Sequence, residues 1–316
     1  MSVEITNQLL LLLLLILIGF GAQRLRFIDG SVGPKLSSFI SNVTMPALYV
    51  STFMRRFSPE DLKAGSMMLG VSAFYYVLTF FVGILFIKLC RVDLKYEGVF
   101  RFMIVFSNAA FMAYPVLTAI YPHAAQDAIF LAVFFNIPFN ALGYTLGVWL
   151  LRRGKETGFR WKLLLAPGSV SAFLGLFIFL ISPVFPEPVY KFLYEGFIYD
   201  TLHQLGNTTI PLSMIVIGTV LAGVNIRDLF LNWKIYILAA VRLLILPAIV
   251  FGVVSFLPMS DMARGVCTVI AGMPCAVFAV ILSQEYGGDE KTASIGVFVT
   301  TLLSFATIPL LCTVLG

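Results

Sequence analysis

Polar side chains are scarce inside the apolar stretches of this 316-residue chain, so each one marks a place where chemistry is available. The clearest group is Ser107-Asn108-Ala109-Ala110-Phe111-Met112-Ala113-Tyr114-Pro115, where an amide, small residues and a proline interrupt an apolar run; Ala271-Gly272-Met273-Pro274-Cys275-Ala276 does the same later. Proline lacks the helical N–H and clashes with the preceding turn, yet suits the start of a new helix. Each stretch is therefore expected to be two half-helices, the second beginning at Pro115 or Pro274. Helix N-termini offer free N–H groups and a positive dipole end, which favour an anion such as a carboxylate without a buried Lys or Arg. Single prolines also merely kink many membrane helices, but the matched pair, with Asn108 beside one of them, favours a site.

Around that site Met112, Tyr114, Met273, Cys275 and Phe278 would form the apolar wall. Asn136 and Asn140, on either side of Pro138, either line the same cavity or hydrogen-bond between helices. Arg242 lies deep in an apolar stretch, where an ionisable group is costly and marks an anion contact or a structural pair; Arg101 is nearer an end and can snorkel. Glu285 and Asp127, at stretch ends, are the carboxylates available for coupling to protons or sodium, or else solvated helix-end charges. Cys90, Cys267, Cys275 and Cys312 show no CxxC spacing, and His123 and His203 are isolated, so neither a metal nor another cofactor is expected. No Ser/His or paired-Asp constellation falls in the apolar stretches, so the expected chemistry is binding rather than bond making, and the chain is not read as an enzyme.

The elements that must position these residues are membrane helices. Hydrophobic residues make up 59% of the chain and charged ones 12%, against about 25% charged in soluble domains. Mean hydropathy is +0.97. Spans of roughly 20 apolar residues can be drawn ten times: Val3 to Ala22, Pro34 to Thr52, Ala64 to Cys90, Gly98 to Tyr121, Ala125 to Leu151, Leu163 to Pro183, Asp200 to Gly223, Trp233 to Leu257, Arg264 to Ser283 and Lys291 to Leu315. The Leu9 to Leu15 run follows Glu4 with no Lys or Arg before it, so it reads as the first span rather than a signal peptide. Odd-numbered loops and their flanks hold most of the Lys and Arg, including the Arg152 to Lys162 linker, whereas even-numbered ones hold Arg55, Arg56, Lys63, Lys191 and Arg264. Positive loops stay in the cytoplasm, which puts both termini outside and the central loop inside a plasma (inner) membrane. The net charge of +5 thus reflects topology and not nucleic-acid binding.

Asn42-Val43-Thr44-Met45-Pro46 and Asn207-Thr208-Thr209-Ile210-Pro211 occupy the second span of each half. Duplication with five spans per copy forces opposite orientations, the inverted repeat of secondary transporters that bind substrate near the bilayer midplane. The repeats are residues 1–157 and 158–316, giving an all-α membrane protein of ten helices in a 5+5 inverted repeat, with broken, crossing helices four and nine. The two Asn/Pro motifs are expected to kink their helices for a structural purpose, shaping a scaffold or a dimer face.

Together, Asn108 with Met112 and Pro115, Leu205-Gly206-Asn207-Thr208-Thr209-Ile210-Pro211-Leu212, Arg242-Leu243-Leu244-Ile245-Leu246-Pro247, and Met273-Pro274 followed by Tyr286-Gly287 make the chain resemble the auxin efflux carrier family over nearly its whole length. The resemblance implies a dimeric scaffold from helices 1, 2, 6 and 7 and a transport domain from helices 3–5 and 8–10, with substrate carried at the crossover in an elevator-like cycle. It carries over Asn108, Pro115 and Pro274 as site positions. Phe278 stands where many bacterial relatives have Asn, and Ser107 and Ala113 stand where many have Gly. The bulky Phe278 either suits a substrate with an apolar portion or closes the pocket altogether. The expected function is secondary transport of a small organic anion, a dicarboxylate or an aromatic carboxylate; the alternative is a membrane sensor or channel that keeps the carrier fold.

Overall fold

A computed structural model of the chain describes residues 3–152 and 166–315, helical apart from turns and one isolated pair of extended residues. The boundary expected at 157/158 and most of the basic linker lie outside the described residues. In chain order the helices are α1 (Val3–Arg24), α2 (Val32–Phe39), α3 (Met45–Phe53), α4 (Pro59–Leu89), α5 (Leu94–Val105), α6 (Ala113–Ile120), α7 (Ala125–Tyr144), α8 (Leu146–Leu151) and α9 (Pro167–Ile181). They continue as α10 (Glu187–Tyr194), α11 (Phe197–Asn207), α12 (Thr209–Ala222), α13 (Trp233–Ala240), α14 (Leu246–Ser255), α15 (Asp261–Ala271), α16 (Phe278–Tyr286) and α17 (Glu290–Leu315).

Seven helical stretches among the described residues are long and apolar enough to cross a membrane: Ile5–Arg24, Pro59–Leu89, Pro122–Tyr144, Pro167–Val184, Glu187–Ala222, Trp233–Ser255 and Glu290–Thr313. The three other expected spans are interrupted, and one of the seven, Trp233–Ser255, is distorted without being broken. Ile40–Thr44 between α2 and α3 is a π-helical turn, and so is Val241–Ile245 between α13 and α14. Each is followed two residues later by a proline, Pro46 or Pro247, whose ring collides with the carbonyl four residues back and forces the preceding turn to widen. Asn42 Nδ2 donates to the Ser38 carbonyl at 2.8 Å, four residues before it, at the start of the first of these turns. The other two breaks, between α5 and α6 and between α15 and α16, form the site. Unforeseen by hydropathy, α7 and α8 part at Thr145, and the short α10 fills a region read as loop.

Helix starts follow ordinary capping. Ser58 accepts from the Glu60 and Asp61 N–H groups ahead of α4, with Pro59 at the first position, and Ser260 accepts from Ala263 N–H at the start of α15. Outward faces are apolar: Leu14 and Ile18 on α1 and Phe173 and Phe177 on α9 are exposed.

Two packing groups emerge. In one, α1 lies along α12, while α3 packs against α9 and α11; in the other, α4 packs against α5 and α7, α14 against α15, and α16 against α17. The repeated motifs meet in the first group, where the buried Thr209 hydroxyl donates to that of Thr44 at 2.9 Å. The α1–α12 contact depends on two glycines. A Cβ on Gly218 would run into the Ile16 carbonyl and one on Gly19 into the Ile215 carbonyl, so the backbones touch, as small residues allow in membranes. Gly218→Leu is expected to cost about 1–3 kcal/mol by overpacking, read as a lower melting temperature in detergent. Gly21→Leu, with nothing within 4 Å of the added Cβ, should melt like the parent.

Candidate functional site

The two broken stretches cross and hydrogen-bond to each other. Asn108 N–H donates to the Pro274 carbonyl at 2.8 Å and Ala276 N–H to the Phe106 carbonyl at 3.1 Å, an antiparallel bridge centred on Ser107 and Cys275. The half-helices start elsewhere than at the prolines themselves. Pro115 is the third residue of α6, which begins at Ala113, and Pro274 lies four residues ahead of α16, which begins at Phe278. At Pro274 the cause is tertiary: the N–H groups of Cys275 and Ala276 bond to Thr300 Oγ1 and the Phe106 carbonyl rather than opening a helix.

Arg242 holds this crossing from behind. Fully buried, its guanidinium donates to the carbonyls of Ile104 at 2.8 Å and Met273 at 3.2 Å and to the Tyr75 hydroxyl, with its carbon 5.6 Å from the Tyr75 ring centroid. Ile104 is in the last turn of α5 and Met273 is two residues past the end of α15. The cation therefore sits where two half-helices present the negative ends of their dipoles, which offsets its desolvation. Of the two roles expected for Arg242, geometry selects the structural one.

In front of the crossing lies a cavity of about 60 Å³ lined by Asn42, Asn108 and Asn140 and by the rings of Phe139, Tyr144 and Phe278. Ala110, Phe111, Ala276 and Val277 complete its floor, and Ala166 to Gly168 at the start of α9 its rim. The Nδ2 groups of Asn108 and Asn140 are buried without a hydrogen-bond partner. Backbone N–H groups of Ala110, Phe111, Val277 and Phe278 likewise have no acceptor among the described residues. No Lys, Arg, Asp or Glu among the described residues lines the space. It is a concave site of unpaired donors beside aromatic rings. The Phe278 ring meets Tyr144 edge-on at 5.1 Å and Phe139 at 6.4 Å.

Other expected wall residues lie elsewhere. Met112 faces a small apolar space between α1, α12 and α17. Tyr114 is buried and donates to the Tyr49 hydroxyl at 2.9 Å. Asn136 donates to that Tyr114 hydroxyl at 2.8 Å and to the Ala109 carbonyl at 2.7 Å, so it fastens the break without facing the cavity. Met273, Pro274 and Cys275 contribute backbone to the crossing, the Cys275 thiol pointing at the Met103 carbonyl at 3.5 Å. Pro115 is buried inside α6. Of the coupling carboxylates, Asp127 is exposed and paired with Arg55 at 2.8 Å, and Glu285 is exposed near the end of α16; neither reaches the cavity. Hydropathy alone missed Asn42 as a lining residue, since it was assigned to a kink, and Tyr144, which only the break at Thr145 could have flagged.

With the geometry in hand, comparison with known proteins gives a consistent result. A family model described as a membrane transport protein matches residues 4–160 and 156–312. The chain is also 24% identical over 316 residues to an uncharacterized transporter of Methanothermobacter thermautotrophicus, with 98% of each chain covered.

Proposed function

The chain belongs to the membrane transport protein family that includes the auxin efflux carriers, and from that premise we propose that it is a secondary carrier moving a small organic anion through the cavity at the crossing. The observation that carries this is the make-up of the lining: Asn108 and Asn140, whose buried Nδ2 groups have no hydrogen-bond partner, and four residues whose backbone N–H groups bond to no backbone carbonyl among the described residues, border one space. Buried donors without partners are costly and rare, and a carboxylate would satisfy several at once with charge-assisted bonds. The positive end of the α16 dipole adds to the attraction.

The bundle is that of an integral membrane protein. The seven long spans together with the three interrupted stretches would make ten crossings in two inverted repeats, and the bond between Thr44 and Thr209, equivalent positions of the two motifs, supports such a repeat. Support for an elevator-like cycle comes from the two packing groups, one matching the expected scaffold and the other the expected transport helices. Basic loops at one end favour a cytoplasmic central loop and outer termini, and the scaffold would pair two copies. Protons or sodium would drive the cycle, at a group other than the exposed Asp127 and Glu285.

A space of 60 Å³ holds about four water molecules, the size of a carboxylate with a short stub. Rings of Phe139, Tyr144 and Phe278 beside it favour a monocarboxylate with an apolar or aromatic tail over a dicarboxylate, whose second charge would face carbon. The test is uptake of labelled malate, malonate, succinate and indole-3-acetate into proteoliposomes under proton, sodium and voltage gradients. Saturable movement of the monocarboxylate alone supports the proposal; unitary currents would indicate a channel, and binding without movement a sensor. Phe278→Asn is expected to narrow the ratio of aromatic to dicarboxylate uptake about ten-fold, since it replaces a ring by a polar group at the wall.

A further inference from the structure

Two cavities, not one, lie along the antiparallel pair α3 and α7. The donor-lined cavity takes Asn42 and Met45 from the start of the first stretch and Asn140 from α7. A second, of about 140 Å³, takes Ser51 and Thr52 from the far end of α3, Gln126 from the far end of α7, and His203 and Asn207 from α11. Between them stand Tyr49 on α3, about one turn from Met45 and from Thr52, and Asn136 on α7, about one turn from Asn140 and about two from Ile129, both fully buried, with Tyr114 of α6 joining them. The chain of bonds runs from Asn136 Nδ2 to the Tyr114 hydroxyl at 2.8 Å and from that hydroxyl to Tyr49 at 2.9 Å. Phe53, one turn beyond Tyr49, packs edge to face with Phe130 and Phe134 of α7.

This plug joins the two packing groups: α3 packs on α9 and α11, whereas α6 and α7 pack together and α7 lies along α4. Its contacts are neutral hydroxyl and amide bonds, which water can replace at small cost. Asn136 Oδ1 is buried in it without a partner, an unmet acceptor that hydration would satisfy on opening.

We propose that the Tyr49–Tyr114–Asn136 chain is the closed gate of the pathway and that the 140 Å³ cavity is its second antechamber, a polar space bordered by Gln126, His203 and Asn207, whose side chains bond to one another across it. It rests on the carrier reading, but its test needs no substrate. Thr52→Cys and Asn42→Cys report the antechamber and the donor-lined cavity respectively, in a background with the half-buried Cys90 replaced by Ser and the other cysteines buried. A membrane-impermeant maleimide is applied from the Thr52 side of oriented vesicles. Thr52→Cys should label readily and Asn42→Cys hardly at all. Adding Tyr49→Phe, which deletes one bond of the gate, should raise labelling of Asn42→Cys from that side about five-fold. Tyr114→Phe, which deletes two, should raise it at least as much and serves if Tyr49→Phe expresses poorly.

Equal labelling of Asn42→Cys with and without either Phe substitution, in protein that elutes as a single species, overturns the gate. So does ready labelling of Asn42→Cys with the chain of bonds intact. A labelling increase without uptake of any acid keeps the gate and removes the carrier of organic acids; uptake with unchanged labelling does the reverse.

Discussion

Asn108→Asp is expected to abolish saturable uptake of an organic acid, and Asn108→Ala to raise its half-saturation concentration between about ten- and one-hundred-fold, as loss of a hydrogen bond worth about 1.5–3 kcal/mol to a charged group implies. The fold should survive both, because Asn108 serves the crossing through its backbone N–H, bonded to the Pro274 carbonyl, while its side-chain Nδ2 has no partner. Asp has nearly the shape of Asn but brings a negative charge into the lining of the cavity, where it would repel an anion. Uptake kinetics in proteoliposomes and a melting curve in detergent together decide the matter. Unchanged kinetics for Asn108→Ala in inserted protein would remove Asn108 from the site. Asn136→Ala is the contrasting case: it releases the Ala109 carbonyl and the Tyr114 hydroxyl, so its deficit should appear first in melting temperature.

Arg242→Leu should be the most damaging single change to stability. It leaves the carbonyls of Ile104 and Met273 and the Tyr75 hydroxyl without their donor in a place water does not reach. Relief from burying a charge offsets part of this, and the net loss is set at about 2–4 kcal/mol from two to three orphaned acceptors. Arg242→Lys keeps the charge but not the planar fork that serves three acceptors at once, so it should recover part of the melting temperature and little of the transport rate. Thermal unfolding in detergent measures the first and initial rates the second. Should Arg242→Leu melt like the parent, the guanidinium would be a passenger and the backbone bridge alone would hold the crossing.

Much of this arrangement is readable in the chain. Pro115 and Pro274, with Asn108 beside the first, mark both breaks as a matched pair; proline alone does not, since Pro138 and Pro309 sit inside the continuous helices α7 and α17. The seven long spans are equally plain from hydropathy. What the sequence conceals is where each half-helix restarts, since that depends on which partner takes the freed N–H groups: Phe106 and Thr300 claim those of Ala276 and Cys275, and both are far away in the chain. For the same reason Met112, Tyr114 and Cys275 were placed in the wall by adjacency to the prolines, although an irregular backbone turns neighbouring side chains to different sides. Asn136 could not be told from a lining residue, because Asn140, one turn away, does line the cavity while Asn136 bonds inward. The role of Arg242 was open for a different reason. A buried cation usually announces a carboxylate, and here its counter-charge is the backbone itself.

The crossing also fixes an order of assembly during synthesis. Phe106, Asn108 and Ile104 present backbone groups whose partners, Ala276, Pro274 and Arg242, emerge only when the second half of the chain is made. Until then the first half carries an interrupted helix that lipid cannot satisfy, and it must wait beside the insertion machinery or draw water in with it. A ribosome adding about 5–20 residues each second imposes that wait for tens of seconds at most rates. A chain stopped short of Pro274 would thus be more than inactive: it would hold an open wound in its backbone at the depth where quality-control proteases look for one.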